Sequence, residues 1–96
     1  MLFQVEMQVH VPADMDPARF EGLKVEEKAR CQILMQAGIW RHLWRVVGQY
    51  KNLSIFEVPN NAALHELLSS LPLFPFMELE VTALCRHPSS IRDDES

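Results

Sequence analysis

Phe3, Val5, Met7 and Val9 alternate with Gln4, Glu6, Gln8 and His10. That period of two predicts a half-buried strand. Val11-Pro12-Ala13-Asp14 ends it. Asp16 then offers a cap for a helix, with Pro17 at the first helical position, where its missing N–H costs nothing. Helical spacing continues to about Ala37, and Gly38 supplies a left-handed residue to stop it. Residues 43–49 predict a second strand and 53–58 a third, joined into a hairpin by a tight connection at Tyr50-Lys51-Asn52. Pro59-Asn60-Asn61 opens a second helix with Leu64, Leu67 and Leu68 on its inner face, ending near Ser70. The link Leu71-Pro72-Leu73-Phe74-Pro75 leads into a last strand over 76–84. Residues 86–96 are polar and lack any period. They read as a C-terminal tail, disordered or laid on a neighbour, and the charged run from Arg92 to Glu95 as solvated.

The order β-α-β-β-α-β predicts an α+β, ferredoxin-like domain over residues 1–96, one antiparallel sheet with both helices on one face. The other face would be bare. Yet both parities of the hairpin strands carry apolar side chains: Leu43 and Val47 on one, Trp44 and Val46 on the other, then Leu53 and Ile55 against Phe56 and Val58. A strand with one wet face alternates cleanly, and these do not. No spare segment exists to cover that face, so oligomerisation through the sheet is expected.

Composition agrees. With 96 residues the chain makes one modest core, yet 48% of them are hydrophobic and only 23% charged, so some apolar surface is expected to meet another subunit. The net charge is -4 and the nine Lys and Arg residues are scattered, which argues against a nucleic-acid partner. The longest apolar run, residues 71–77, is short and broken by Pro72 and Pro75, so no membrane span is expected; Met1-Leu2-Phe3-Gln4 does not read as a signal peptide. Cys31 and Cys85 are isolated and read as two reduced thiols of a cytoplasmic protein.

The most informative anomaly lies in the first helix. Phe20, Leu23, Cys31 and Leu34 trace one stripe at helical spacing, and Glu27 falls inside it while Glu26 turns away. A carboxylate aimed at the core is costly as an ion, so its pKa should rise unless cations or donors compensate. A raised carboxylate suits a general base near neutral pH. The competing reading is structural, with Glu27 paired to Arg30, Arg45 or a histidine. At the hairpin, Tyr50 and Asn52 offer hydrogen bonds to an oxyanion, and Arg45 offers a cation for a carboxylate; against this, Asn at a turn commonly serves backbone geometry and Tyr beside it commonly packs. His10, His42, His65 and His87 lack metal-ligand spacing, although His42 beside Trp44 and Arg45 could wall a polar pocket. Trp40 and Trp44 read as core or interface anchors. The three glycines lie too far apart for a phosphate loop, and no Ser, His and Asp grouping stands out.

These residues, taken together, resemble the muconolactone isomerase family over nearly the whole chain. The similarity runs through Met1-Leu2-Phe3, Asp14-Met15-Asp16-Pro17, Glu27-Lys28, Trp40-Arg41-His42-Leu43-Trp44-Arg45 and Gly48-Gln49-Tyr50, then Asn52 and Ser54. The more specific strings are Leu71-Pro72-Leu73-Phe74-Pro75 and Leu84-Cys85-Arg86-His87-Pro88-Ser89-Ser90. Phe76, Lys51 and Leu53 depart from the family pattern, which bears on substrate detail more than on reaction class. The resemblance implies a homo-oligomer, a decamer built as a ring of five dimers, with active sites made from two chains. It implies conversion of muconolactone to 3-oxoadipate enol-lactone in the catechol branch of aromatic degradation, without metal or organic cofactor. It also implies Glu27 as the shuttling base, Tyr50 and Asn52 as partners of the lactone or its oxyanion, and Lys28, His42 or Arg45 as the cation for the substrate carboxylate. The rival readings are a chloromuconolactone dehalogenase of the same family, a cofactor-free monooxygenase on the related dimeric α+β barrel, and a non-catalytic ligand-binding subunit.

Overall fold

The computed structural model describes residues 1–92; most of the charged run at the C-terminus lies outside them. Strand β1 (Leu2–Val9) is followed by helix α1 (Pro17–Gln36) and by strands β2 (Trp40–Arg45) and β3 (Lys51–Glu57). Helix α2 (Asn61–Ser69), a short 3-10 turn (Phe74–Phe76) and strand β4 (Met77–Leu84) complete the chain. The strands form one antiparallel sheet in the order β2-β3-β1-β4, the ferredoxin-like arrangement expected from the sequence. Among the described residues no helix is long and apolar enough to cross a membrane.

Both helix starts follow from local chemistry. The Asp16 side chain accepts a hydrogen bond from the Ala18 N–H with Pro17 next in line, and the Asn60 side chain accepts one from the Ala63 N–H at 2.8 Å. Gly38 takes up φ +78° just after α1, a left-handed conformation that a Cβ would strain.

The core lies between the sheet and the helices. Phe3, Val5 and Met7 point into it from β1, with Phe56 from β3 and Trp40 from β2, whose rings meet at 4.7 Å. Cys31 and Leu34 of α1 and Leu64, Leu67 and Leu68 of α2 close it from above. Each such large apolar side chain contributes about 1.5–3 kcal/mol on burial.

The hairpin differs from the expectation in a way that matters for the site. Strand β2 begins at Trp40 and ends at Arg45, so Val46 and Val47 lie in the connection; Val47 is 92% exposed. The turn is residues 46–50, closed by the Val46 N–H on the Lys51 carbonyl at 3.0 Å and pivoting on Gly48 at φ +78°. Two consecutive valines looked like strand, but a glycine able to adopt positive φ set the reversal there instead. Lys51 and Asn52 consequently belong to β3. A register shift between Trp40 and His42 also puts an extra residue, Arg41, into β2. This bulge reverses the alternation: Trp40 faces the core with Phe56, yet beyond it the odd residues Leu43 and Arg45 face the helices, opposite Ser54 and Asn52.

The sheet face away from the helices is divided. Its hairpin half carries Leu53, Ile55 and Trp44, the last stacked on His42 at 4.9 Å, whereas its β1–β4 half carries Gln4, Glu6, Gln8, Glu78, Glu80 and Thr82. Lys51 pairs with Glu6 at 3.4 Å across the boundary. Beyond β4 the tail turns back on itself: the Arg86 guanidinium donates to the carbonyls of Ser90 and Arg92 at 2.7 and 2.8 Å.

Candidate active site

The helical stripe of α1 places Glu27 beside the β2–β3 hairpin, where it shares a cavity with Leu43, Arg45, Tyr50 and Asn52. The side chain is half-buried rather than sunk in the core, and it stands on the wall shared by two adjoining cavities. The first, about 270 Å³, is lined on its polar side by Arg45, Tyr50, Lys51 and Asn52, with Met7, Leu43 and Leu73 among its apolar walls. The second, about 360 Å³, is mainly apolar, with Cys31, Met35, Trp40, Leu43 and Leu73, and has Lys24 and Lys28 at its margin. Glu27, Leu43, Asn52 and Leu73 border both.

Among the described residues no cation comes within ion-pairing distance of the Glu27 carboxylate, so the alternative of a structural ion pair with Arg30, Arg45 or a histidine is not what the fold builds. Arg30 instead donates to the Ser70 hydroxyl at 3.4 Å. Oε1 of Glu27 accepts a hydrogen bond from the backbone N–H of Leu73 at 3.0 Å. Burial pushes the Glu27 carboxyl above the usual glutamate range, and the Leu73 N–H opposes the shift without cancelling it. Burial, followed by the nearby Glu27 charge, raises the Cys31 thiol too, which makes it a poor nucleophile. The arrangement can therefore take up a proton on Glu27 while one of its oxygens stays anchored.

Asn52 reaches the same space because β3 starts before the position expected from sequence, with Asn52 on the helix-facing parity with Ser54 and Phe56. Its Oδ1 accepts from the Ser54 hydroxyl at 2.8 Å. Arg45, paired with Asn52 in the ladder, lies with its guanidinium 5.4 Å from the Tyr50 ring centroid. Tyr50 ends the turn, its carbonyl accepting from the Val9 N–H at 3.1 Å.

Of the residues singled out in the sequence, Glu27, Arg45, Tyr50 and Asn52 line the first cavity, and Lys28 lies on the second. His42 is not among them: the bulge at Arg41 turns it to the opposite sheet face, against Trp44. Lys24, Leu43 and Leu73 also line the cavities, although the sequence pattern does not mark them as site residues. Lys24 sits one helical turn before Lys28 and pairs with Glu21 at 2.7 Å, and that bond with Glu21 raises its pKa. The i, i+4 spacing of the lysines was visible, but a backbone donor such as the Leu73 N–H leaves no signature in side-chain chemistry.

The comparisons with known proteins converge. Residues 1–90 match the family model described as muconolactone delta-isomerase. The chain is 59% identical over 95 residues to muconolactone delta-isomerase 2 of Acinetobacter lwoffii, covering 99% of both proteins. It is 55% identical to the muconolactone delta-isomerase of Pseudomonas aeruginosa, again with 99% of each chain covered. A crystal structure of muconolactone isomerase superposes with a TM-score of 0.94 at 55% identity, over 100% of both chains. A likeness this complete in sequence and fold leaves one assignment: the chain belongs to the muconolactone delta-isomerase family.

Proposed function

We propose that this chain is an isomerase that converts muconolactone to 3-oxoadipate enol-lactone, with Glu27 moving the proton. The observation that carries the reading is an ionisable carboxyl on a cavity wall, unpaired with any cation among the described residues and held by one backbone N–H.

The chemistry needs little else. In an unsaturated five-membered lactone, the hydrogen on the carbon bearing the ring oxygen is conjugated through the double bond to the carbonyl. The Glu27 carboxylate takes that hydrogen as a proton, and the electron pair of the broken C–H bond moves through the ring to the carbonyl oxygen as a dienolate. The same carboxyl then returns the proton to the carbon next to the carbonyl, which leaves the double bond shifted. Atoms and charge balance without an oxidant. One base serves both carbons when they lie on one ring face, and anchoring Oε1 on Leu73 leaves Oε2 for that traffic. Asn52 and Tyr50 donate hydrogen bonds to the lactone carbonyl as it gains charge. Arg45 or Lys28 holds the acetate arm, each lining one of the two cavities that meet at Glu27. His42 reaches the reaction only if the assembly brings it to a neighbour's cavity.

The apolar hairpin half of the outer sheet face supports assembly of several copies, a decamer of five dimers by the family resemblance, in the cytoplasm. The test is addition of the purified protein to muconolactone without metal or cofactor, following the double-bond shift by absorbance, in parallel with a chlorinated lactone monitored for chloride release. Rapid isomerisation of the plain lactone is expected. Chloride release without isomerisation would reassign the chain to the dehalogenase branch, and turnover of neither would remove the reading.

A further inference from the structure

Side chains of the sheet that face the helices form cross-strand rows, and one row runs Val81, Val5, Ser54, Leu43. Three of its members are apolar; Ser54 is fully buried, and it is the buried polar side chain of the core among the described residues. An alanine or valine would fill this place without desolvating a hydroxyl. Burying the hydroxyl is tolerable only because its hydrogen finds an acceptor, and the Ser54 hydroxyl donates to Oδ1 of Asn52 at 2.8 Å. That bond also decides which way the Asn52 amide faces. With the amide reversed, the Ser54 hydroxyl would accept from Nδ2 and its own hydrogen would be left without an acceptor in a dry site. Oδ1 therefore turns inward to Ser54 and Nδ2 is left to serve the cavity that Asn52 shares with Glu27.

We propose that Ser54 is a positioning residue that fixes Asn52 as a hydrogen-bond donor toward the lactone. The inference rests on the proposed reaction: a carbonyl oxygen gathering negative charge requires an N–H, and an amide oxygen presented instead would repel it. Held from beneath, Asn52 needs no reorganisation as that charge develops, which is where preorganised donors act most strongly.

The test compares wild type, Ser54→Ala, Ser54→Thr, Asn52→Ala and the Asn52→Ala/Ser54→Ala double variant in steady-state isomerisation, with particle mass and melting temperature recorded for each. Ser54→Ala is expected to lower kcat about tenfold with little change in KM, the size of one lost hydrogen bond in the transition state. Ser54→Thr keeps the hydroxyl and should retain most of the rate. On the Asn52→Ala background, Ser54→Ala should cost nothing further, because its effect passes through Asn52. A wild-type kcat in Ser54→Ala, or an undiminished loss on the Asn52→Ala background, would overturn the proposal while leaving the reaction assignment standing. Crystal structures of wild type and Ser54→Ala judge it even if the wild type failed to isomerise muconolactone. Rotation or splitting of the Asn52 side chain in the variant is expected, and one unchanged conformer refutes the role.

Discussion

Glu27 carries two opposing demands: its α1 stripe buries it, and its proposed work requires it ionised. Because burial raises its pKa, ionising it opposes folding. The protonated side chain's contribution to stability is complete below the unfolded-state value and is lost as pH rises through the higher folded-state value. Glu27→Gln, which can still accept from the Leu73 N–H, should thus melt higher than wild type at neutral pH, and the difference should vanish in acid. Rate should follow the opposite course. kcat/KM should rise with pH through a limb displaced above the ordinary glutamate range and then level off, as a pH–rate profile would record. Tyr50→Phe removes one hydroxyl at the cavity edge and should reduce kcat roughly tenfold without unfolding the chain. A wild-type rate in that variant would confine Tyr50 to its contact with Arg45.

At the scale of elements, the turn between β2 and β3 sets the positions of Tyr50, Asn52 and Arg45, and Gly48 at φ +78° sets the turn. Gly48→Ala meets no steric obstacle but must adopt a left-handed backbone, a cost of about 1–2 kcal/mol that should appear as a lower melting temperature. Gly22 offers the contrast. It lies inside α1 with open space around it, so Gly22→Ala should stabilise by about 0.5–1 kcal/mol. Both helices, their caps and the first and last strands, β1 and β4, were legible because periodicity, Asp16, Asn60 and Gly38 all agreed. The hairpin was legible only as a hairpin. Val46 and Val47 have strong strand character, and no sequence pattern marks Arg41 as the residue that bulges. That one-residue bulge decided which side chains of β2 reached the cavity, taking Arg45 in and His42 out. Glu27 stands out because a charge in an apolar stripe contradicts its surroundings; Asn52 carries a turn signal in the sequence, and only its pairing with Met7 and Arg45 places it in β3.

At the scale of the whole molecule, a sheet covered by helices on one face leaves Leu53, Ile55 and Trp44 on the other. Assembly through that half-face should give a particle of about ten times the 11.1 kDa chain, measurable by sedimentation. Leu53→Glu, which buries a charge in the proposed contact, should yield smaller species. A wild-type monomer with full activity would contradict the assembly. The proposed reaction rests on one side chain, Glu27, within the proposed assembly. Its most direct test is the rate of the muconolactone double-bond shift catalysed by Glu27→Gln beside wild type, with sedimentation showing that both particles are the same size. A loss of at least about 100-fold is expected, the contribution of a positioned general base. A Gln variant of unchanged mass that isomerised the lactone at nearly the wild-type rate would contradict it.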